Sequence, residues 1–345
     1  MKAVMKTKAP LLELDNLSTH YVSSRGTRVV RAVQDISLSI HAGETLGIVG
    51  ESGSGKSTLA LTILRVLPPA ARIVAGRMLL EGDDLVQKSD EEMREIRGKR
   101  IAMLVQDPMA SLNPLFTIGN QVAEPIIVHE GAPRQTAWQR AIKLLKAVRI
   151  NSPESRVKQY PHEMSGGMRQ RIVGAIGIAC EPKLLIADEP TTSLDLTIQA
   201  QYLNLLRDLQ REHGLALIFI THNLGIVAKM CDQLAVMYAG RLVEYGPVSR
   251  IFNDPVHPYT RALLNSIPRM TDPDQRLTAI EGQPPDLSAL PAGCAFAARC
   301  PNVMARCRTQ EPPDFAAEPG RTARCWLAAP ALGAASAAVL RREAV

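Results

Sequence analysis

A run of glycine and small polar residues, Gly50-Glu51-Ser52-Gly53-Ser54-Gly55-Lys56-Ser57-Thr58, stands between two apolar segments and constrains the chain more than any other stretch. Thr45-Leu46-Gly47-Ile48-Val49 before it reads as a buried strand, and Leu59-Ala60-Leu61-Thr62-Ile63-Leu64 after it as the start of a helix. Strand, glycine loop and helix in that order form a P-loop, which wraps a polyphosphate in backbone N–H groups. Only residues with little or no side chain allow so close an approach, and Gly50, Gly53 and Gly55 supply it. Lys56 places a point charge at the β- and γ-phosphates, Ser57 offers a hydroxyl to Mg²⁺, and the following helix turns its positive end to the anion.

Further on, Lys183-Leu184-Leu185-Ile186-Ala187-Asp188-Glu189 reads as a buried strand ending in two acids. A P-loop fold needs a carboxylate at such a strand end to hold Mg²⁺ through its water shell, and Asp188 fits. Glu189, one residue on, can orient and deprotonate an attacking water. Leu215 to Thr221 reads as the next strand, with His222 at the carboxyl end, where phosphates lie in a parallel sheet. In Met164-Ser165-Gly166-Gly167-Met168-Arg169-Gln170-Arg171, Ser165 is a good N-cap. The Ser-Gly-Gly start is either a second phosphate-binding helix end or a plain glycine-lined cap. Tyr21, ahead of the turn Ser23-Ser24-Arg25-Gly26, is an aromatic that can stack on adenine or simply pack.

Around these motifs, Leu12-Glu13-Leu14, Val29 to Val33 and Ile36 to Ile40 alternate as antiparallel edge strands. Gly76 to Gly82 reads as a short strand, Ser89 to Lys99 as a solvated helix, and Ile101 to Val105 as a buried strand ending at Gln106-Asp107-Pro108. Val236 to Glu244 reads as a hairpin turning at Ala239-Gly240. Residues 111–180 read as helical and amphipathic, too long for a simple crossover and therefore an insertion between parallel strands. With 345 residues, 46% apolar and 21% charged, the chain has material for one large domain and a smaller one. The net charge of +6 is scattered rather than concentrated, so it argues little for nucleic acid. No run approaches the roughly 18 apolar residues of a spanning helix, and the acid-interrupted N-terminus lacks a signal-peptide core. A cytosolic protein, or one docked on a membrane from the cytosolic side, is expected.

The six cysteines are not a secreted disulfide framework in such a chain. Cys180 and Cys231 lie among apolar residues and read as core. Cys294, Cys300, Cys307 and Cys325 fall in a Pro- and Arg-rich stretch with little core of its own, where four thiols ask for a metal. Zinc and an iron-sulfur cluster both accept four thiolates, and spacing does not separate them; four unligated thiols are the plain alternative.

Assembled, these residues resemble the ATP-binding subunits of ABC transporters, most closely the dipeptide/oligopeptide permease group. Gly50 to Thr58 matches the Walker A motif, Gln106 the Q-loop, Ser165-Gly166-Gly167 the signature, and Leu184 to Asp188 with Glu189 the Walker B motif and catalytic base. Ser193-Leu194-Asp195 matches the D-loop and His222 the switch histidine. The permease flavour comes from Gln106 to Pro114, Tyr160 to Arg171 and Pro255 to Thr260. Met164 for Leu, Met168 for Gln, Ser193 for Ala and Asn223 for a frequent Asp are modest departures that remove no catalytic group.

The resemblance, over about residues 11–325, implies an α/β fold. The expected architecture is an ABC-type P-loop NTPase cassette over residues 1–265, with a RecA-like core, an antiparallel β-subdomain and a helical subdomain at about 107–175. A small Cys-rich C-terminal extension at 266–330 and an Ala-rich tail at 331–345 follow. Tyr21 becomes the adenine-stacking residue, and Glu51, Ser52, Ser54, Thr58 and Asp195 join the nucleotide contacts. Gln106 joins Ser57 and Asp188 at Mg²⁺, and Glu189 and His222 in catalysis. Implied cofactors are ATP, Mg²⁺ and a [4Fe-4S] cluster on the four cysteines, with zinc as the alternative.

One Walker A and one signature occur here, and in this family the signature caps the nucleotide of the other cassette. The resemblance therefore implies a dimer, expected with a second ABC ATPase subunit as a heterodimer. Two transmembrane permease subunits would dock on the helical block through the Gln106 segment, and an extracytoplasmic substrate-binding protein would act indirectly, with no nucleic acid. The expected place is the cytoplasmic face of the inner membrane, as a peripheral subunit. The implied function is ATP hydrolysis that energises a peptide importer, with nickel chelates or oligosaccharides as alternative cargo. A non-transport ABC ATPase acting on DNA or ribosomes is the competing class. Chromosome-type members place a long coiled coil between residues equivalent to Lys56 and Asp188, and ribosomal members usually carry two cassettes. A metal-dependent interaction module with a dead nucleotide site is disfavoured by the intact Lys56, Asp188, Glu189 and His222.

Overall fold

The computed structural model describes residues 9–105, 111–192, 194–267 and 279–329. In chain order the strands are β1 Leu12–Val22, β2 Val29–Ile40, β3 Thr45–Val49, β4 Ala71–Leu80, β5 Asp83–Asp84 and β6 Ile101–Leu104. They continue with β7 Leu184–Asp188, β8 Ala216–Ile220, β9 Gln233–Tyr238, β10 Arg241–Pro247, β11 Phe315–Glu318 and β12 Arg321–Ala323. The chain divides into two compact units. One holds the chain up to Leu12, Ile40–Thr45 and Leu79–Ile220; the other holds Glu13–Ser39, Leu46–Met78 and the chain from Thr221 on.

In the first unit β7 pairs in parallel with β6 and with β8, setting Ile101 opposite Leu184 and Asp188 opposite Ile220. Every residue of β7 and β8 is buried, which is why both read as continuous apolar runs rather than alternating ones. Helices Ile118–Glu130, Arg134–Ala147 and Gly166–Gly177 pack on one another. Helix Leu196–His213 buries Tyr202, Leu205, Leu206 and Leu209, a stripe at helical spacing. The helix expected over Ser89 to Lys99 is Asp90–Ile96, begun by a capping box in which Ser89 and Glu92 satisfy each other's backbone N–H.

In the second unit β3 and β9 are parallel neighbours, and β10, β12 and β11 extend the sheet antiparallel. The β9–β10 hairpin turns at Ala239 and Gly240, both with positive φ, as a two-residue hairpin requires. A second sheet takes the order β2-β1-β4-β5. β4 is longer than the strand expected at Gly76 to Gly82: it begins at Ala71, and Gly76, which reads as the strand's start, lies in its middle. The core gathers Val49, Val236, Tyr238, Val243, Tyr259 and Phe296, with Leu287, Leu290, Cys294 and Cys300 packed against it. Residues beyond 279 thus complete the apolar packing around the strand that leads into the P-loop.

The last strand is also tied in electrostatically. Arg321 on β12 and Glu244 on β10 form a fully buried ion pair at 2.8 Å. Glu244 accepts further hydrogen bonds from the backbone N–H groups of Val256 and His257, each at 3.0 Å, and Arg321 also donates to the Asp254 carbonyl. No helix among the described residues is long and apolar enough to cross a membrane.

Candidate functional site

The second unit carries the P-loop. Buried β3 delivers the chain to Gly50, and helix Lys56–Ile63 leaves it. Two glycines here admit no side chain: a Cβ on Gly50 would lie 2.2 Å from the Met237 carbonyl oxygen. One on Gly55, whose φ is +103°, would lie 2.1 Å from that of Ala32. No side chain caps the helix that starts at Lys56, an arrangement in which first-turn N–H groups and the helix dipole suit a phosphate. Lys56 is buried, and its Nζ donates to the carbonyls of Gly50 at 2.8 Å and Glu51 at 2.9 Å and to Ser54 Oγ at 3.4 Å. The loop therefore surrounds its own cation with oxygen. Ser52, Gly53 and Ser57 are exposed.

Tyr21 on β1 meets Thr58 of the P-loop helix, with 3.3 Å between the two hydroxyl oxygens. The structure thus brings the expected adenine-stacking ring to the helix that begins in the phosphate loop. Thr221 donates its N–H to the Ile48 carbonyl of β3 at 3.2 Å, and His222 follows as an exposed residue. Asn223, where an Asp is frequent, caps the next helix by accepting from the Gly225 and Ile226 N–H groups at 3.0 and 3.3 Å. An amide oxygen serves that purpose as well as a carboxylate does.

Glu51, expected among the nucleotide contacts, is held from the C-terminal part of the chain. Its carboxylate takes hydrogen bonds from Arg299 at 2.9 and 3.1 Å, and its N–H donates to the Tyr259 hydroxyl at 2.9 Å.

The first unit holds the acids and the Ser-Gly-Gly cap. Asp188 ends β7 and is buried. Glu189 has a left-handed backbone with φ of 45°, donates its N–H to the Ile220 carbonyl at 2.9 Å, and accepts from Thr192 Oγ1 on Oε2 at 3.0 Å. A left-handed non-glycine residue costs on the order of 1–3 kcal/mol and persists only where its surroundings hold it. Here the Ile220 carbonyl and the Thr192 hydroxyl do so.

Ser165 caps helix Gly166–Gly177 by accepting the Met168 N–H at 3.4 Å. Gly166 has open space around it, whereas a Cβ on Gly167 would meet Ile198 Cγ2 at 2.8 Å. A side chain at Gly167 would therefore force Ile198 to shift. Asp195 caps helix Leu196–His213, accepting from Thr197 and Ile198 N–H groups at 3.0 Å each. Gln106 and Ser193 lie outside the described residues.

The four cysteines of the metal expectation all lie in the second unit. Cys294, Cys300, Cys307 and Cys325 do line one cavity, together with His257 and Phe296. Among the described residues, however, no group of three or more His, Cys, Asp and Glu side chains stands so that it could hold a metal ion. Burial pushes the Cys294 thiol up to about 11 and that of Cys325 up to about 12, and raises Cys300 too. Cys294 and Cys300 pack against the apolar core, which a spacing argument does not reveal. Cys180 and Cys231 are likewise thiols whose pKa burial raises, in keeping with core positions.

These features define a P-loop ATPase cassette. The chain matches the ABC transporter family over residues 33–192 and the oligopeptide/dipeptide transporter C-terminal region over residues 243–307. It is similar to a probable peptide ABC transporter ATP-binding protein, y4tR, of Sinorhizobium fredii, at 49% identity over 92% of this chain and 94% of the relative. It is also similar to the dipeptide transport ATP-binding protein DppD of Bacillus subtilis, at 47% identity over 92% and 94%. Among solved structures, the ATP-binding cassette MJ0796, a dimer bound to ADP and Pi, superposes with a TM-score of 0.61 at 26% identity, covering 69% of this chain and 98% of that one. The chain belongs to the ABC transporter family as an ATP-binding subunit, in the branch that carries the oligopeptide/dipeptide C-terminal region.

Sequence reasoning missed Arg299, Tyr259 and Thr192. Thr192, a hydroxyl three residues after Glu189, was open to discovery as a turn-forming partner. Arg299 and Tyr259 reach Glu51 from distant parts of the chain, and no local pattern announces them.

Proposed function

We propose that this chain hydrolyses ATP to energise the import of peptides. The observation that carries the reading is the P-loop itself, whose Gly50 and Gly55 exclude any side chain while Lys56 stands within a shell of loop oxygens. Peptide cargo is favoured over nickel chelates and oligosaccharides by the relatives' dipeptide and peptide transport functions and by the matching C-terminal region.

In the proposed cycle Lys56 and the P-loop N–H groups bind the phosphates, and Tyr21 stacks on the base. Ser57 and Asp188 offer the hydroxyl and carboxylate oxygens that suit Mg²⁺, which would neutralise phosphate charge, and Gln106 joins them. Glu189 orients and deprotonates the attacking water, and His222 contacts the γ-phosphate. Ser165 and Gly167 complete the site of a second cassette, a homologous subunit, so that two chains close head to tail over two nucleotides. Loss of the γ-phosphate removes the charge that holds them together. Two permease subunits dock on the helical block, a reading supported by the exposed Leu115, Phe116 and Val128 there. The location that goes with this reading is the cytoplasmic face of the inner membrane. The four C-terminal thiols are the proposed ligands of a structural [4Fe-4S] cluster or zinc, supported by their shared cavity; metal analysis of anaerobically purified protein tests it.

The test of the function is recovery of tagged Glu189→Gln chain from gently solubilised membranes with MgATP, partners being identified by mass spectrometry. Two polytopic membrane subunits and a second cassette are expected. Ribosomes or DNA-bound proteins without a membrane partner would overturn the reading.

A further inference from the structure

Arg299 belongs to the cysteine-bearing C-terminal segment, immediately before Cys300, yet its head group is spent on the phosphate loop. The side chain is only 5% exposed. Nη1 and Nη2 take the two oxygens of Glu51, at 2.9 and 3.1 Å, in a bidentate pair. Nη1 also reaches the Tyr238 hydroxyl at 3.2 Å, Nε donates to the Glu281 carbonyl at 2.9 Å and Nη2 to the Ile280 carbonyl at 3.1 Å. Every nitrogen of the guanidinium is thus assigned. A second strut comes from Tyr259, whose fully buried hydroxyl accepts the Glu51 N–H at 2.9 Å.

The two struts share one aromatic cluster. The rings of Tyr238, Tyr259 and Phe296 lie 4.6 to 5.4 Å apart, and the Arg299 guanidinium stands 5.8 Å from the Tyr238 ring and 5.9 Å from that of Phe296. Phe296 in turn lines the cavity of the four thiols. A contiguous packed path therefore runs from that cavity to the second residue of the P-loop. Glu51 cannot turn to a ligand without leaving a buried guanidinium uncompensated.

We propose that Arg299 and Tyr259 are positioning residues for the nucleotide loop: the C-terminal segment grips Glu51 by its carboxylate and its N–H, and so sets the affinity of the P-loop for MgATP. The inference rests on Gly50–Thr58 being the phosphate site. A grip on the loop acts on the bound ground state and the transition state alike, so its loss moves KM with Kd and moves kcat less. A merely structural role would instead lower the fraction of active protein at constant KM.

The experiment uses the full chain, with Kd for a fluorescent ATP analogue and ATPase KM measured in parallel. Arg299→Met is expected to weaken binding and raise KM by about tenfold, and Arg299→Lys to recover part of the loss. Tyr259→Phe, which deletes one oxygen and keeps the ring, is expected to act in the same direction by a few-fold. Glu51→Gln combined with Arg299→Met is expected to be no weaker than Arg299→Met alone, since both break one pair. Unchanged Kd and KM in both Arg299→Met and Tyr259→Phe would overturn the inference. Lys56→Ala separates the two readings: if it binds nucleotide as the wild type does, the phosphate-site reading fails; if it loses binding while the Arg299 and Tyr259 variants keep it, only the positioning inference fails.

Discussion

Replacing Arg321 by leucine removes the cation that pairs with an interior carboxylate, Glu244. Arg321 and Glu244 are 1% and 0% exposed in their side chains, so water cannot take over the contact. Glu244 accepts three hydrogen bonds, from Arg321 at 2.8 Å and from the Val256 and His257 N–H groups at 3.0 Å each. Removing one member of a buried pair costs about 3–5 kcal/mol, because the survivor keeps its desolvation penalty. Two backbone donors remain on Glu244, and leucine keeps much of the arginine stem's packing, which puts the expectation near the lower end, about 3 kcal/mol. Chemical denaturation monitored by intrinsic fluorescence measures it as a shift of the midpoint. In Arg321→Leu with Glu244→Leu no charge is left behind, so the double variant is expected to be more stable than Glu244→Leu alone, which deprives the same two N–H groups of their acceptor and also keeps an unpaired guanidinium. A single-variant cost below about 1 kcal/mol, or a double-variant cost equal to the sum, would refute the argument.

Three further outcomes are expected. Gly55→Ala puts a methyl against the Ala32 carbonyl at a φ of +103°, so nucleotide affinity is expected to fall steeply, checked by equilibrium titration with a fluorescent nucleotide. Thr192→Val removes the hydroxyl that donates to Glu189, and a several-fold lower kcat with KM for ATP nearly unchanged is expected in a steady-state assay. Burial holds His257 at about 3, well below its ordinary 6.5, and its Nδ1 accepts the Tyr259 N–H. The unfolded chain binds that proton first as pH falls below 6.5, so stability is present above 6.5 and declines by up to about 1.4 kcal/mol per pH unit below it. His257→Asn is expected to flatten that part of the pH–stability profile measured by denaturation.

What the sequence conveys and what it hides follow from the range of each interaction. The P-loop, the runs at β7 and β8 and the Ala239-Gly240 turn depend on neighbours within a few residues, so composition and spacing expose them. The first half of β4, Ala71 to Ala75, escapes because Gly76, in the middle of the strand, reads as its start. Arg299 and Arg321 look like surface charges in a Pro- and Arg-rich tail, yet their side chains are only 5% and 1% exposed, because acids from elsewhere, Glu51 and Glu244, pair with them. For the four cysteines the count is legible and the surroundings are not. A count of thiols suggests a metal, and the structure gathers them in one cavity beside Phe296, where burial raises the thiols of Cys294 and Cys325. Asp195 and Ser165, singled out for ligand contacts, are seen at work as helix caps, a task that a residue can combine with ligand binding.

The most direct test of the account is phosphate release from MgATP by the complex purified from membranes, with wild-type, Lys56→Ala and Glu189→Gln chains compared and nucleotide binding measured on the same samples. The account predicts that Lys56→Ala loses binding and turnover together, whereas Glu189→Gln keeps binding and loses turnover. Turnover by Glu189→Gln at the wild-type rate would contradict the assignment of Glu189 as the base and of the chain's site as the one that hydrolyses ATP.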